Sequence, residues 1–278
     1  MSKRKEKRKK KPVEHWRTAN GADRHELYEL SVQNVESEVD FVDDVWKKQR
    51  GRLARTLRED FCGTFQSSVE WVQRRDDNTA LCVDLDEEVL EWGRTHSLPR
   101  LDEEDQQRLS IELEDVTKIA SEPVDCILAM NFSYYLFKSR DELRAYFAHA
   151  REGLVDDGIF ICDAYGGSES FSEMEEERDL DGFTYVWDQS SYSPVSGDVI
   201  NHIHFRFPDK TVMEKAFTYE WRLWTLPELQ ELLEEAGFKN VMVWWEGTND
   251  DGDGDGEFNP NEVGEACEGW IAYLTAEK

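Results

Sequence analysis

Apolar and polar residues follow two different periods along this chain, and the changes of period mark its elements. Over residues 22–49 (ADRHELYELSVQNVESEVDFVDDVWKKQ), Leu27, Leu30, Val32, Val35, Val39, Val42 and Val45 recur about every three to four positions, which predicts one or two amphipathic helices. From residue 54 short apolar runs alternate with helical stretches. Strands are predicted over 54–59 (ARTLRE), 79–85 (TALCVDL), 109–113 (LSIEL), 124–130 (VDCILAM) and 158–164 (GIFICDA), with helices over 65–74, 87–95 and 140–153 between them. Apolar strands separated by helices predict an α/β fold with a parallel sheet covered on both faces. Residues 166–224 break the rhythm: FTYVWDQ, DVINHIHFRF and TVMEKAFTYEWRLW alternate with period two and are joined by SPVSGD and PDK, which predicts an antiparallel insertion. A helix opening at Thr225, Pro227 and Glu228 and closing at Gly237 then leads to a final strand pair, VMVWW and WIAYL.

Composition narrows the class. The apolar fraction of 39% is enough to fill a core, and the 34% of charged residues requires a densely ionised exterior. No apolar run approaches the ~20 residues that span a bilayer, and none follows the basic N-terminus as in a secretory signal, so a soluble cytoplasmic protein without membrane contact is expected. Charge is uneven: residues 2–11 (SKRKEKRKKK) hold 8 of the 33 Lys and Arg and 1 of the 61 acidic residues. Residues 1–12 therefore read as a disordered basic tail and 13–278 as one domain. The rest of the chain would repel a phosphate backbone, which makes nucleic acid a poor substrate except for weak contact by the tail. Cys62, Cys82, Cys126, Cys162 and Cys267 form no C-x-x-C pair and are odd in number, against a zinc site or a disulfide framework.

The segment LREDFCGTF at 57–65 carries most of the chemistry. A strand ending in Arg58, Glu59 and Asp60 turns through Phe61, Cys62, Gly63 and Thr64 into a helix, and such strand ends are where open α/β sheets bind ligands. A second acid, Asp84, ends the next strand and can accept hydrogen bonds from two ribose hydroxyls, while Asp86 suits the N-cap of the following helix. Asp115 and Val116 follow the third strand, where Asp115 suits either a ligand or a helix cap, and AMNFSYYLF at 129–137 follows the fourth.

LREDFCGTF resembles the acidic, glycine-rich first motif of class I S-adenosylmethionine-dependent methyltransferases, an acid followed by x-G-x-G-x-G. On that pattern the acid is Asp60 or Glu59, counting back from C-G-T favours Glu59, Gly63 is the middle glycine, and Phe61 and Phe65 replace the outer two. The later segments GLVDDGIFICDAYGG and WTLPELQELLEEAGFKNVMV also resemble the family, so the likeness covers about 54–165 and 225–275, while the LYELSVQ helix and the insertion look like features of a bacterial subfamily. The resemblance implies a Rossmann-like, mostly parallel seven-stranded sheet with helices on both faces and the antiparallel insertion beside it. It implies S-adenosylmethionine as cofactor, with Glu59, Asp60, Cys62, Gly63, Asp84, Leu85, Asp115, Val116 and Asn131 as cofactor residues. Asn131, Ser133, Tyr134 and Tyr135 are candidates to line the acceptor site.

The absent G-x-G-x-x-G opposes a nicotinamide oxidoreductase, whose pyrophosphate needs bare backbone; a non-catalytic S-adenosylmethionine-binding protein is the other alternative. Methyl transfer from a sulfonium depends mainly on alignment and exclusion of water. If the acceptor must lose a proton, Tyr134, Tyr135, His202, His204 and Asp163 are the candidate bases. Period two places His202, His204 and Arg206 on one face of a strand, without an evident third metal ligand, so no metal is expected there. Asp251, Asp253, Asp255, Gly256 and Glu262 match the spacing of a calcium loop, but between strands rather than helices. The helix around Tyr28 (the 22–49 cap) and the insertion, with Phe183, Tyr185, Trp187, Phe217, Tyr219 and Trp221, are expected to form the acceptor pocket. An acidic exterior favours a small neutral or cationic acceptor.

Overall fold

The computed structural model describes residues 17–248, 254–261 and 263–278. The basic tail and Asp251, Asp253 and Glu262 of the calcium-like loop lie outside the described residues. Helices α1 (Arg24–Ser31) and α2 (Val35–Arg50) come first, followed by β1 (Thr56–Asp60), α3 (Gln66–Arg74), β2 (Thr79–Asp84), α4 (Glu87–His96), the short α5 (Glu103–Gln106) and β3 (Leu109–Leu113). Then come β4 (Val124–Ala129), α6 (Arg140–Glu152) and β5 (Leu154–Gly166). The insertion holds β6 (Met174–Leu180), β7 (Phe183–Tyr192), β8 (Asp198–Arg206) and β9 (Val212–Arg222). The chain ends with α7 (Leu226–Glu235), β10 (Lys239–Thr248), β11 (Gly254–Pro260) and β12 (Trp270–Glu277).

The main sheet runs β11-β10-β12-β5-β4-β1-β2-β3, with β5, β4, β1, β2 and β3 mutually parallel. Alternation sorts its side chains. Val83, Ile127, Phe160 and Cys162 face α6 and α7, through Tyr146, Phe147, Leu229 and Leu232. Cys82, Cys126, Ile159 and Ile161 face α2 and α3, through Trp46, Val42 and Trp71. Four of the five cysteines are buried and free, packing as small apolar groups.

Two strands escape the sequence pattern. The main sheet has eight strands, not seven, because β11 (GDGEFNP) pairs with β10 along the edge where hydrogen bonding requires no apolar alternation. Only its Phe258 packs inward, against Phe41 and Tyr273. Likewise β6 (MEEERDL), almost wholly exposed, adds a fourth strand to the insertion by pairing with β7. Asp255 and Gly256, read as part of a calcium-like loop, belong to β11, and the Asp255 carboxylate accepts from the Glu257 amide.

Candidate functional site

The β1–α3 turn explains how a glycine motif can be written with phenylalanines. Phe61, Gly63 and Phe65 have φ of 58°, 54° and 52°, so all three keep the left-handed backbone that a glycine-rich motif supplies. For L-residues that conformation costs roughly 1–2 kcal/mol each. Burying an aromatic side chain returns about 1.5–3 kcal/mol. Phe65 is fully buried, and its ring lies where a Cβ on Gly93 would come within 2.3 Å, so α4 needs a glycine there. Phe61 packs on Tyr146 and Phe137 and faces the cleft.

Asp84 fixes this turn to β2. One carboxylate oxygen accepts from the Gly63 amide at 2.8 Å and the other from the Asp86 amide at 2.9 Å, leaving lone pairs on both for a ligand. Burial raises its pKa, opposed by those amides. Asp86 caps α4 through the Glu88 and Val89 amides, as its spacing predicts. Of the two possible first-motif acids, Glu59 accepts from the Ser68 amide (2.9 Å) and hydroxyl (2.5 Å), tying β1 to α3. Burial pushes its carboxyl up to about 8. Asp60 is held by Arg58 at 2.8 and 2.9 Å and by the Tyr146 hydroxyl at 2.9 Å, all buried. Both acids shape the turn, and both border the cleft.

Two cavities open over these strand ends and share Phe61, Asp84 and Asp86. The first, of about 830 Å³, is bounded by Leu85, Glu87, Glu88, Asp115, Val116, Thr117, Leu136 and Phe137. Asp115 accepts from the Thr117 amide and hydroxyl and from Lys118 Nζ at 2.6 Å, so it both caps its turn and borders the cavity. The Lys118 ammonium and Thr117 hydroxyl hold its carboxyl down at about 2. The second cavity, of about 510 Å³, runs past Cys62, Gly63, Thr64, Met130, Asn131 and Ser133 to α1 and β9. There Arg24, His25 and Tyr28 face Phe217 and Tyr219, and Phe217 packs on Tyr28 at 5.0 Å and on His25 at 5.8 Å. Gln33 Oε1 borders this cavity, buried and without a hydrogen-bond partner.

The candidate bases fare differently. Tyr134 and Tyr135 are fully buried, and their hydroxyls donate to the Asp163 and Trp224 carbonyls, so neither lines the cleft. Burial pushes both phenols well above their usual range. Asp163 is also buried, and its carboxylate accepts from the Asn131 (2.8 Å) and Phe132 (2.9 Å) amides, holding two residues at φ 57°. Burial raises its carboxyl to about 7. His202 and His204 share a face, as alternation predicts, but it is the face opposite Phe217 and Tyr219: Ile203 and Asn201 are the residues paired with those two. His202 bonds the Thr218 hydroxyl, His204 bonds Asp188, and Arg206 pairs with Glu175 and Glu177, all on that opposite face. Among the described residues no group of three or more His, Cys, Asp or Glu side chains could hold a metal ion.

Sequence reasoning missed Leu136 and Phe137, which complete the first cavity, and Arg24, His25, Gln33 and Lys215 in the second. Leu136, 45% exposed after a buried tyrosine pair, carries a signal only once the turn is known. The others come from segments remote in sequence that meet only in the fold.

No protein-family model matches this chain, and no characterised protein matches it in sequence. Its fold is similar to that of an S-adenosylmethionine-dependent methyltransferase from Clostridium acetobutylicum (17% identity, TM-score 0.66, covering 91% of this chain and 96% of the other). It is also similar to an amino pentose methyltransferase from Micromonospora echinaspora, bound to S-adenosylmethionine (14%, 0.64, 91% and 95%), and to a sugar N-methyltransferase from Streptoalloteichus (16%, 0.62, 93% and 93%). The chain therefore has the fold of S-adenosylmethionine-dependent methyltransferases.

Proposed function

We propose that this chain is an S-adenosylmethionine-dependent methyltransferase acting on a small-molecule acceptor. The observation that carries the reading is the Asp84 carboxylate, tied by two backbone amides at the meeting point of two cavities, over strand ends of a methyltransferase fold. The residues suit the cofactor. Asp84 offers free lone pairs to ribose hydroxyls, and Leu85, Val116, Leu136 and Phe137 give an apolar slot for a base. Phe61 faces the cleft at the turn where a pyrophosphate would need bare backbone, which disfavours a dinucleotide.

When bound, S-adenosylmethionine supplies a methyl group already activated on a sulfonium. What the chain contributes is then alignment and dryness. Tyr28 from α1 and Phe217 and Tyr219 from β9 wall the second cavity, which supports the helical cap and the insertion as the acceptor side. Tyr134, Tyr135, His202 and His204 do not reach this wall, so none of the four is positioned as a base for the acceptor. Fold similarity to sugar and amino pentose methyltransferases supports a small acceptor. The test is methyl-labelled S-adenosylmethionine with fractionated cell extract: label in small molecules is expected. Label only in protein or RNA contradicts the acceptor class, and tight cofactor binding without any label favours a non-catalytic binder.

A further inference from the structure

We propose that Arg24 and Lys215 form an anion site at the mouth of the acceptor cavity, selecting acceptors that carry a carboxylate or a phosphate. The inference rests on the methyltransferase reading above. In a chain of net charge −28, cations find carboxylates easily. Arg50 pairs with Glu277, Arg52 with Asp125 and Asp157, Arg75 with Asp43 and Arg222 with Glu228. Arg24 and Lys215, like Lys48, Arg151 and Arg178, form no ion pair among the described residues, and these two are the Arg and Lys residues that border the second cavity. The Arg24 guanidinium lies 5.5 Å from the Phe217 centroid, and Lys215 precedes Phe217 by two residues on the same strand.

Each cation also sits where local structure disfavours it. Arg24 is the first residue of α1, at the positive end of the helix dipole, where a cation costs stability. Among the described residues its side chain makes one hydrogen bond, to His25 Nε2 at 3.3 Å. Burial and the Arg24 charge lower the pKa of His25, which leaves a neutral ring beside it. Lys215 has φ 49°, strained for a residue with a Cβ, at the irregularity where β8 and β9 shift register. Two cations without an ion pair at one cavity are accounted for by a ligand that brings a negative charge to them. The floor of the cleft carries Asp84, and Asp86 and Glu88 act on His25, so an anionic acceptor needs both cations to be held at this end. This narrows, and partly reverses, the preference for neutral or cationic acceptors suggested by the acidic exterior.

The test uses the full chain with methyl-labelled S-adenosylmethionine and a fractionated small-molecule extract. Labelled products are rechromatographed after carbodiimide amidation, which shifts carboxylates, and after phosphatase, which shifts phosphate esters. Label is expected in products that shift under one of the two. Arg24→Gln/Lys215→Gln is expected to raise the KM of the purified acceptor about tenfold or more. In the same variant the affinity for S-adenosylhomocysteine should stay within about twofold of wild type. Arg24→Lys/Lys215→Arg, which keeps both charges, should restore a KM near that of wild type. Label only in products that shift under neither treatment overturns the anion site while leaving the methyltransferase reading intact. An equal loss of S-adenosylhomocysteine affinity in the glutamine variant also overturns it, since the cations would then hold the cofactor's own carboxylate. Absence of label in every fraction overturns both.

Discussion

Replacing Glu59 with glutamine should remove a measurable part of the pH dependence of stability. Burial raises this carboxyl from 4.5 to about 8, with the buried Glu38 carboxylate adding to the rise and the Ser68 contacts opposing it. A group whose folded pKa exceeds its unfolded value holds its proton more tightly when folded, so stability falls as pH rises between the two values. At ~1.4 kcal/mol per unit, the linkage amounts to roughly 1.5 kcal/mol at about pH 5.5 and roughly 4 kcal/mol at about pH 7.5. Glutamine accepts from Ser68 as the neutral acid does, cannot ionise, and introduces only a pH-independent offset. The stability of Glu59→Gln relative to wild type should therefore rise by about 2.5 kcal/mol between those two pH values. Urea unfolding of both proteins at three pH values measures the difference, in which titrating groups not coupled to Glu59 cancel. A gap constant within ~0.5 kcal/mol, the scale of independent-site additivity, would refute the assignment of a neutral, buried Glu59.

Asp84→Ala should weaken S-adenosylhomocysteine binding by about 1–3 kcal/mol, roughly five- to 150-fold in Kd by calorimetry, because ribose hydroxyls lose their acceptor inside the cleft. Arg58→Met should cost roughly 3–5 kcal/mol in urea unfolding, since it leaves Asp60 buried beside Tyr146 without its cation. Phe217→Ala should raise acceptor KM by about tenfold or more while S-adenosylhomocysteine affinity holds, as expected for an apolar wall of the acceptor cavity. His202→Ala should leave acceptor KM and kcat unchanged, because its side chain is on the other face of the sheet; a change in either would contradict the facing drawn from the β8–β9 register.

Elements that bury an apolar face were legible in the sequence, and those that do not were invisible. Strand β3 matches its predicted span and α3, β2, α4, β4 and α6 match within a residue or so, because each pairs an apolar period with a clear cap or turn. Strands β6 and β11 are edge strands held by backbone hydrogen bonds and made of charged or glycine-rich sequence, so no side-chain period betrays them. That Asp84 would border the cleft was legible because open α/β sheets form their clefts at strand ends, and the Asp86 cap because capping is local. The facing of His202 and His204 was not legible: alternation says that they share a face, but which face meets the cleft depends on how the insertion docks. Tyr134 and Tyr135 illustrate the same limit, since a turn held by Asp163 directs both rings into the core.

The central claim is tested most directly by calorimetric titration of the full chain with S-adenosylhomocysteine, S-adenosylmethionine and NAD. The account predicts one site per chain for the two sulfur nucleosides, weakened in Asp84→Ala, and no heat from NAD. Binding of NAD, or failure of both sulfur nucleosides to bind the folded protein, would contradict it.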